Sequence, residues 1–183
     1  MPNPLKTLRA DHTNFKGLLG LLDAEIARFQ KGKEPDYPLM RDALHYMTQY
    51  PDRVHHPAED VIFEHLLKLD SSLKPAITEM FVEHERLVAG GTELLRLLEE
   101  VLGDAVMSRD VVTAAARKYL DAMRAHIDRE ERTLFPLAEK RLTAADWAAI
   151  EAESRKLPDP LFGAVTDPRY RAILERLPKS AAR

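Results

Sequence analysis

The sequence predicts an all-α fold: an antiparallel up-down-up-down four-helix bundle with a short helical C-terminal extension. Three observations carry that prediction. Apolar residues recur in steps of three and four along four long segments, the mark of helices buried along one stripe. Runs alternating apolar and polar residues, the mark of half-buried strands, are missing. Clusters of Gly, Pro, Asp and Ser punctuate the chain between those segments.

The first stripe is Leu5, Leu8, His12, Phe15, Leu19, Leu22, Ile26 and Phe29. It stops near Gln30-Lys31-Gly32-Lys33, and Glu34-Pro35-Asp36 turns the chain. The second helix runs from about Tyr37 to Leu69 and is interrupted by Pro51 and Pro57, each of which removes a backbone donor. Asp70-Ser71-Ser72 is a turn. The third helix carries Leu73, Ile77, Met80, His84, Leu87, Gly91, Leu94, Leu98 and Val101, and Gly103-Asp104 ends it. Ser108 is placed to cap the fourth, whose stripe is Val112, Ala116, Tyr119, Met123, His126, Glu130, Leu134 and Leu137. Thr143-Ala144-Ala145-Asp146 reads as the cap of a short helix to about Lys156. Leu157-Pro158-Asp159-Pro160 breaks that helix, and Pro168 to Leu177 forms a last helical piece. The expected division is a bundle over residues 1–142 and an extension over 143–183, packed on the bundle or on a partner.

Bulk properties exclude several classes. The chain has 183 residues, 45% of them hydrophobic, and a formal net charge of −3. That charge gives no broad basic field, so no nucleic-acid partner is expected. No apolar run reaches the roughly 18 residues of a membrane span. Met1-Pro2-Asn3-Pro4-Leu5-Lys6 lacks the apolar core of a signal peptide, and a cytoplasmic protein is expected. Cysteine is absent, which removes disulfides, thiolate nucleophiles and cysteine-held zinc or iron–sulfur centres. Any metal is held by nitrogen and oxygen.

The polar residues on the apolar stripes are the functional signal. His12, His55, His84 and His126 each lie on a different predicted helix, and Glu59 and Glu130 follow two of them four residues later. Burying imidazoles and carboxylates is costly, and a metal site in a bundle core is the commonest reason to do it. Helix rise places them at one depth. His12 to the end of the first helix, and the start of the second back to His55, are both about 18 residues, or roughly 27 Å. Glu59 to the end of its helix is about 10 residues and the start of the third helix to His84 about 11. His84 to Val101 and Arg109 to His126 are 17 residues each. Neighbouring helices lie about 8–10 Å apart, so the side chains converge. A buried ion-pair network would need arginines or lysines in this layer, and there are none.

His56 stands beside His55, about 100° away on a regular helix. A kink at Pro57 turns both imidazoles inward; without one, His56 lies on the surface. His45 and His65 fall off the stripe and are read as non-ligands, and Tyr119 as core. The candidate metal set is therefore His12, His55, His56, Glu59, His84, His126 and Glu130. Seven donors are too many for one ion that keeps an open position. They suit two ions about 3.5–4 Å apart, bridged by Glu59 and Glu130. Imidazole with carboxylate fits iron, manganese or zinc. Phe15, Met80, Leu87, Met123 and Ile127 would wall a dry pocket for a diatomic such as oxygen or nitric oxide.

These motifs resemble a known family. His12, His55-His56-Pro57-Ala58-Glu59-Asp60, Glu83-His84-Glu85, and the run from His126-Ile127-Asp128-Arg129-Glu130-Glu131 to Phe135-Pro136 are similar to those of the hemerythrin-like, HHE cation-binding proteins. The resemblance covers about residues 5–142. It implies a non-haem diiron centre, two iron ions with an oxo or hydroxo bridge, in a four-helix bundle. By position it implies His12, His55, Glu59, His84, His126 and Glu130 as ligands, with the glutamates bridging. Two departures stand out. The family's oxygen carriers place two histidines one turn apart on the third helix, where this chain has Met80 and Val88 around His84. Their last motif ends in an aspartate five residues after histidine, where this chain has Glu130 four after His126. Oxygen carriage then depends on His56 supplying the missing ligand. Members tied to repair of iron–sulfur centres carry a cysteine-bearing N-terminal domain, which is not expected here.

Three functional readings are open. The first is a diiron protein that binds, senses or stores oxygen, nitric oxide or iron. The second is a diiron oxidase or peroxidase, or an iron-repair or storage protein, using the same site. The third is a metal-free helical interaction module, monomer or homodimer, whose Leu161, Phe162, Tyr170, Ile173 and Leu174 dock a partner or cap their own bundle.

Overall fold

Four helical rods account for most of the chain in the computed structural model, which describes residues 4–103, 105–154 and 157–177. Every regular element among the described residues is helical. The first rod is α1 (Pro4–Gln30), and Gly32, at φ 72°, takes the left-handed turn that follows it. The second is broken: α2 (Tyr37–Met47) gives way to a π-helical turn (Pro51–His55), which leads directly into α3 (His56–Leu69). A 3-10 turn over Ser71–Leu73 opens α4 (Lys74–Leu102), the third rod. The fourth is α5 (Arg109–Arg129), a second π-helical turn (Glu130–Leu134) and α6 (Phe135–Arg141). Two short helices close the chain, α7 (Ala144–Glu153) and α8 (Arg171–Arg176).

The caps expected from the sequence form. The Ser108 hydroxyl accepts from the Asp110 amide, and Thr143 and Asp146 make a reciprocal capping box at the start of α7. Asp104, Lys156 and the outer ends of the two expected domains, residues 1–3 and 178–183, lie outside the described residues. No described helix is long and apolar enough to cross a membrane.

The rods pack as a bundle, α1 against α5 and α2, and α4 against α5, α2 and α3. At Gly91 the approach is close: a Cβ there would lie 2.9 Å from Thr48 Cγ2 and 3.1 Å from Tyr119 Cε2. All eight stripe residues of the first helix are buried. The fourth stripe needs a correction at its end. Leu137 is only half-buried, and Phe135 and Ala138 are buried in its place. The π-helical turn inserts a residue and rotates everything after Leu134 by about 100°.

The apolar core is split in two. One cluster runs from Phe15 to Phe29 on α1, through Leu87 to Leu98 on α4 and Val112 to Ile127 on α5. The other holds Leu5 and Leu8, Ile62 to Leu66, Ile77 and Met80, and Leu134 to Leu142. On each rod the break between the two falls at the polar residues: His12 between Leu8 and Phe15, His84 between Met80 and Leu87, Glu130 between Ile127 and Leu134. The tail joins the first cluster, with Leu161, Tyr170 and Ile173 buried in it and Phe162 and Leu174 at its edge. Asp159 pins it there. Its Oδ2 accepts from the Tyr46 hydroxyl at 2.9 Å, and its Oδ1 accepts from the Leu161 and Phe162 amides.

Candidate metal centre

Prolines shape the two π-helical turns. Pro57 has no N–H for a carbonyl one turn back, and its ring crowds that carbonyl. The preceding turn widens, and the His56 amide donates to the Pro51 carbonyl five residues earlier. Pro136 has the same effect, and the Phe135 amide donates to the Glu130 carbonyl. The first wide turn brings His55 and His56 inside together, at 1% and 3% exposure. The second accounts for the one-residue offset between Phe63, four after Glu59, and Phe135, five after Glu130.

The seven candidate residues meet in one buried layer. Ring centroids lie 4.8 Å apart for His12 and His55, 4.9 Å for His84 and His126, and 4.4 Å for His56 and His84. Potential donor atoms of His56, Glu59, His84 and His126 lie within 4.8 Å of one another, as do those of His12, His55 and Glu59. The glutamates stand between the two histidine groups, and each reaches both. Glu59 turns Oε1 to His12 and His55, at 3.4 and 3.0 Å, and Oε2 to His84 at 3.6 Å. Glu130 turns Oε2 to His12 and His126, at 3.3 and 3.4 Å, and Oε1 to His84 at 3.6 Å. These distances permit charge attraction, but none of the contacts is aligned as a hydrogen bond. His45 and His65 are elsewhere: His45 Nδ1 pairs with the Tyr170 hydroxyl at 2.8 Å, and His65 lies 3.4 Å from Glu153.

A second layer of acids surrounds the first. His12 Nδ1 donates to Glu131 at 2.9 Å, His55 to Asp11 at 3.0 Å, His84 to Asp60 at 2.9 Å and His126 to Glu83 at 3.3 Å. A carboxylate only accepts, so each Nδ1 carries a hydrogen and each Nε2 faces inward. The pattern closes on itself. Asp11, Asp60, Glu83 and Glu131 are each the sequence neighbour of an inward-facing residue, and each holds the histidine of the next rod round the bundle. Adjacent helical residues point about 100° apart, so the neighbour of an inward residue faces the adjoining helix. Asp52 stands 3.4 Å from His56 Nδ1 without a hydrogen bond. Asp60, Glu83 and Glu131 fall within the sequence motifs, but the motifs give them no role, and Asp11 and Asp52 lie outside them. An acid beside His12, Glu59, His84 and Glu130 was the available signal.

The layer calls for positive charge. Burial lowers the His12 pKa, but the Glu130 and Glu59 carboxylates outweigh it and raise the value to about 10. His84 behaves alike: burial lowers it, Asp60 and Glu130 raise it, and the result is about 10. For Glu59 burial pushes upward, yet His55 and His12 hold it well below the usual carboxylate range. His56 is driven well below its ordinary value by burial and by the charge on His84, and so stays neutral. Burial raises Asp52 to about 7.

Hydrogen-bond accounting shows what the layer fits. Among the described residues, nine buried side-chain nitrogens and oxygens have no hydrogen-bond partner, and all nine belong to the seven candidates. They include Nε2 of His12, His55, His84 and His126 and all four oxygens of Glu59 and Glu130. At about 1–3 kcal/mol each, their desolvation rivals the whole net stability of a domain, about 5–15 kcal/mol. Cations coordinated by imidazole and carboxylate remove that cost. The buried His/Glu cluster therefore fits a metal site.

Residues 3–138 match the hemerythrin HHE cation binding domain. The chain belongs to that family. Cation binding is thus a property of the hemerythrin HHE domain that this chain shares, and its buried layer is where the chemistry for it is found. No curated protein matches the chain.

Proposed function

We propose that this protein binds two iron ions with His12, His55, His56, Glu59, His84, His126 and Glu130, and that it serves to bind or sense a small diatomic, oxygen or nitric oxide. The nine unpartnered buried atoms carry the reading. Two donor groups sharing Glu59 support two cations, and the reach of both Glu59 and Glu130 to histidines of each group supports carboxylate bridges between them. The mixture of imidazole and carboxylate without thiolate favours iron, with manganese or zinc as the alternatives. His56, neutral and buried beside His84 and His126, fills the role that Met80 and Val88 leave open. The four rods are inferred to run up-down-up-down, which is the arrangement that brings their polar residues to one depth. Residues 1–142 are inferred to form the bundle domain, with 143–183 laid on it, in a cytoplasmic protein.

A bound iron pair supplies electron exchange with a coordinated diatomic. The chain's own part is orientation and exclusion of water. The four Nδ1 bonds fix each imidazole's tautomer. Phe135 stacks on His12 with centroids 5.3 Å apart, and Phe15 meets the edge of His55 at 4.8 Å. Iron analysis after anaerobic loading tests the reading: about two atoms per chain are expected, with an absorption change on adding oxygen or nitric oxide. A chain that retains one ion or fewer contradicts it.

A further inference from the structure

Between α4 and α5 a cleft of about 180 Å³ is lined by Glu83, Arg86, Leu87, Ala122, Ala125 and His126. It reaches His126, whose Nε2 lies 3.4 Å from Glu130 Oε2 in the buried layer. The opposite side of that layer is walled by phenyl rings, Phe135 on His12 and Phe15 on His55. Here the α5 wall is two exposed alanines, Ala122 and Ala125. The volume is that of a few water molecules, at about 30 Å³ each, and below the roughly 300 Å³ at which organic-ligand pockets begin.

The charges at the cleft are unequal. Glu83 is engaged: Oε2 accepts from His126 Nδ1, and Oε1 pairs at 2.7 Å with Arg129, which also pairs with Glu79. Arg86 is exposed and pairs with no carboxylate among the described residues. A cationic group left free at the mouth of a small cleft attracts small anions.

We propose that this cleft is the entry port of the metal centre, and that Arg86 docks a small inorganic monoanion on its way in. The proposal rests on the two-iron reading above and adds to it a route and a preferred charge.

The test uses the iron-loaded protein, mixed rapidly with azide, a monoanion, or nitric oxide, a neutral diatomic. Ala122→Leu/Ala125→Leu fills the cleft from positions outside the apolar core. Association of both probes is expected to slow about tenfold or more. Dissociation slows in step, so equilibrium affinity and iron content stay within about twofold of wild type, as for a pure kinetic gate. Arg86→Gln is expected to slow azide about three- to tenfold, to flatten its salt dependence, and to leave nitric oxide unchanged. Wild-type rates in the filled variant overturn the port. Equal slowing of azide and nitric oxide in Arg86→Gln overturns the anion dock. A wild-type chain that takes up no iron overturns the two-iron reading and the port with it, whereas normal loading with unaltered rates overturns the port alone.

Discussion

Asp11→Asn keeps the shape of a buried side chain and removes its charge, which makes it a direct probe of the outer ring of acids. Asp11 is 6% exposed and accepts from His55 Nδ1 at 3.0 Å. Asp60 makes a bond of similar length, 2.9 Å to His84, but its side chain is 38% exposed. The two acids therefore share a geometry and differ in dielectric surroundings. A buried hydrogen bond to a charged group contributes about 1.5–3 kcal/mol, an exposed pair about 0–1 kcal/mol. Loss of an outer-shell partner typically costs about 10- to 100-fold in metal affinity, or about 1.4–2.7 kcal/mol. Asp11→Ala should lie near the hundredfold end, and Asp11→Asn, which keeps an accepting oxygen, near tenfold. Asp60→Ala should cost no more than about fivefold, since water screens the bond it loses. Competition for metal against a chromophoric chelator reads these ratios directly. If Asp60→Ala weakens binding as much as Asp11→Ala, or Asp11→Ala stays within about twofold of wild type, the acids do not orient the imidazoles as argued.

Other parts of the structure make further outcomes testable. Glu130→Ala removes one of the two shared carboxylates, and iron content should fall from about two per chain to one or less; a variant that still loads two denies Glu130 a bridging role. Gly91→Ala should lower stability by about 1 kcal/mol by thermal melting, the overpacking against Thr48 and Tyr119 exceeding the helical gain over glycine, and an unchanged melting temperature would show that α2 and α4 separate freely. Burial holds the Asp159 carboxyl above its ordinary 3.8, so its stabilising contribution is complete below that pH and is lost as pH rises through the folded-state value. Asp159→Asn should therefore flatten the fall in stability as pH rises above the ordinary carboxylate range, and should be at least as stable as wild type once that carboxyl is ionised; a steeper fall in the variant reverses the argument.

Much of the centre was written in the helical stripes. His12, His55, Glu59, His84, His126 and Glu130 interrupt apolar periodicity at matched distances from the helix ends, and that spacing is a one-dimensional property of the chain. His56 was ambiguous because a regular helix turns it away; only the widened turn before Pro57 brings it in, and π-helical geometry has no periodic signature. The same cause misplaced Leu137, since a stripe counted in steps of three and four does not register one inserted residue. The partners of the outer acids were hidden for a different reason. Asp11, Asp60, Glu83 and Glu131 serve histidines on other rods, so their role exists only after packing. The anchoring of the tail through Asp159 and Tyr46 likewise depends on two residues more than a hundred positions apart.

Two cations bridged by the carboxylates of Glu59 and Glu130 are the heart of the proposed centre. Anomalous scattering from crystals of the iron-loaded protein tests that arrangement most directly. Two iron peaks about 3.5–4 Å apart are expected in the layer defined by His12, His56, His84 and His126. A single peak there, or iron bound anywhere else in the chain, contradicts it.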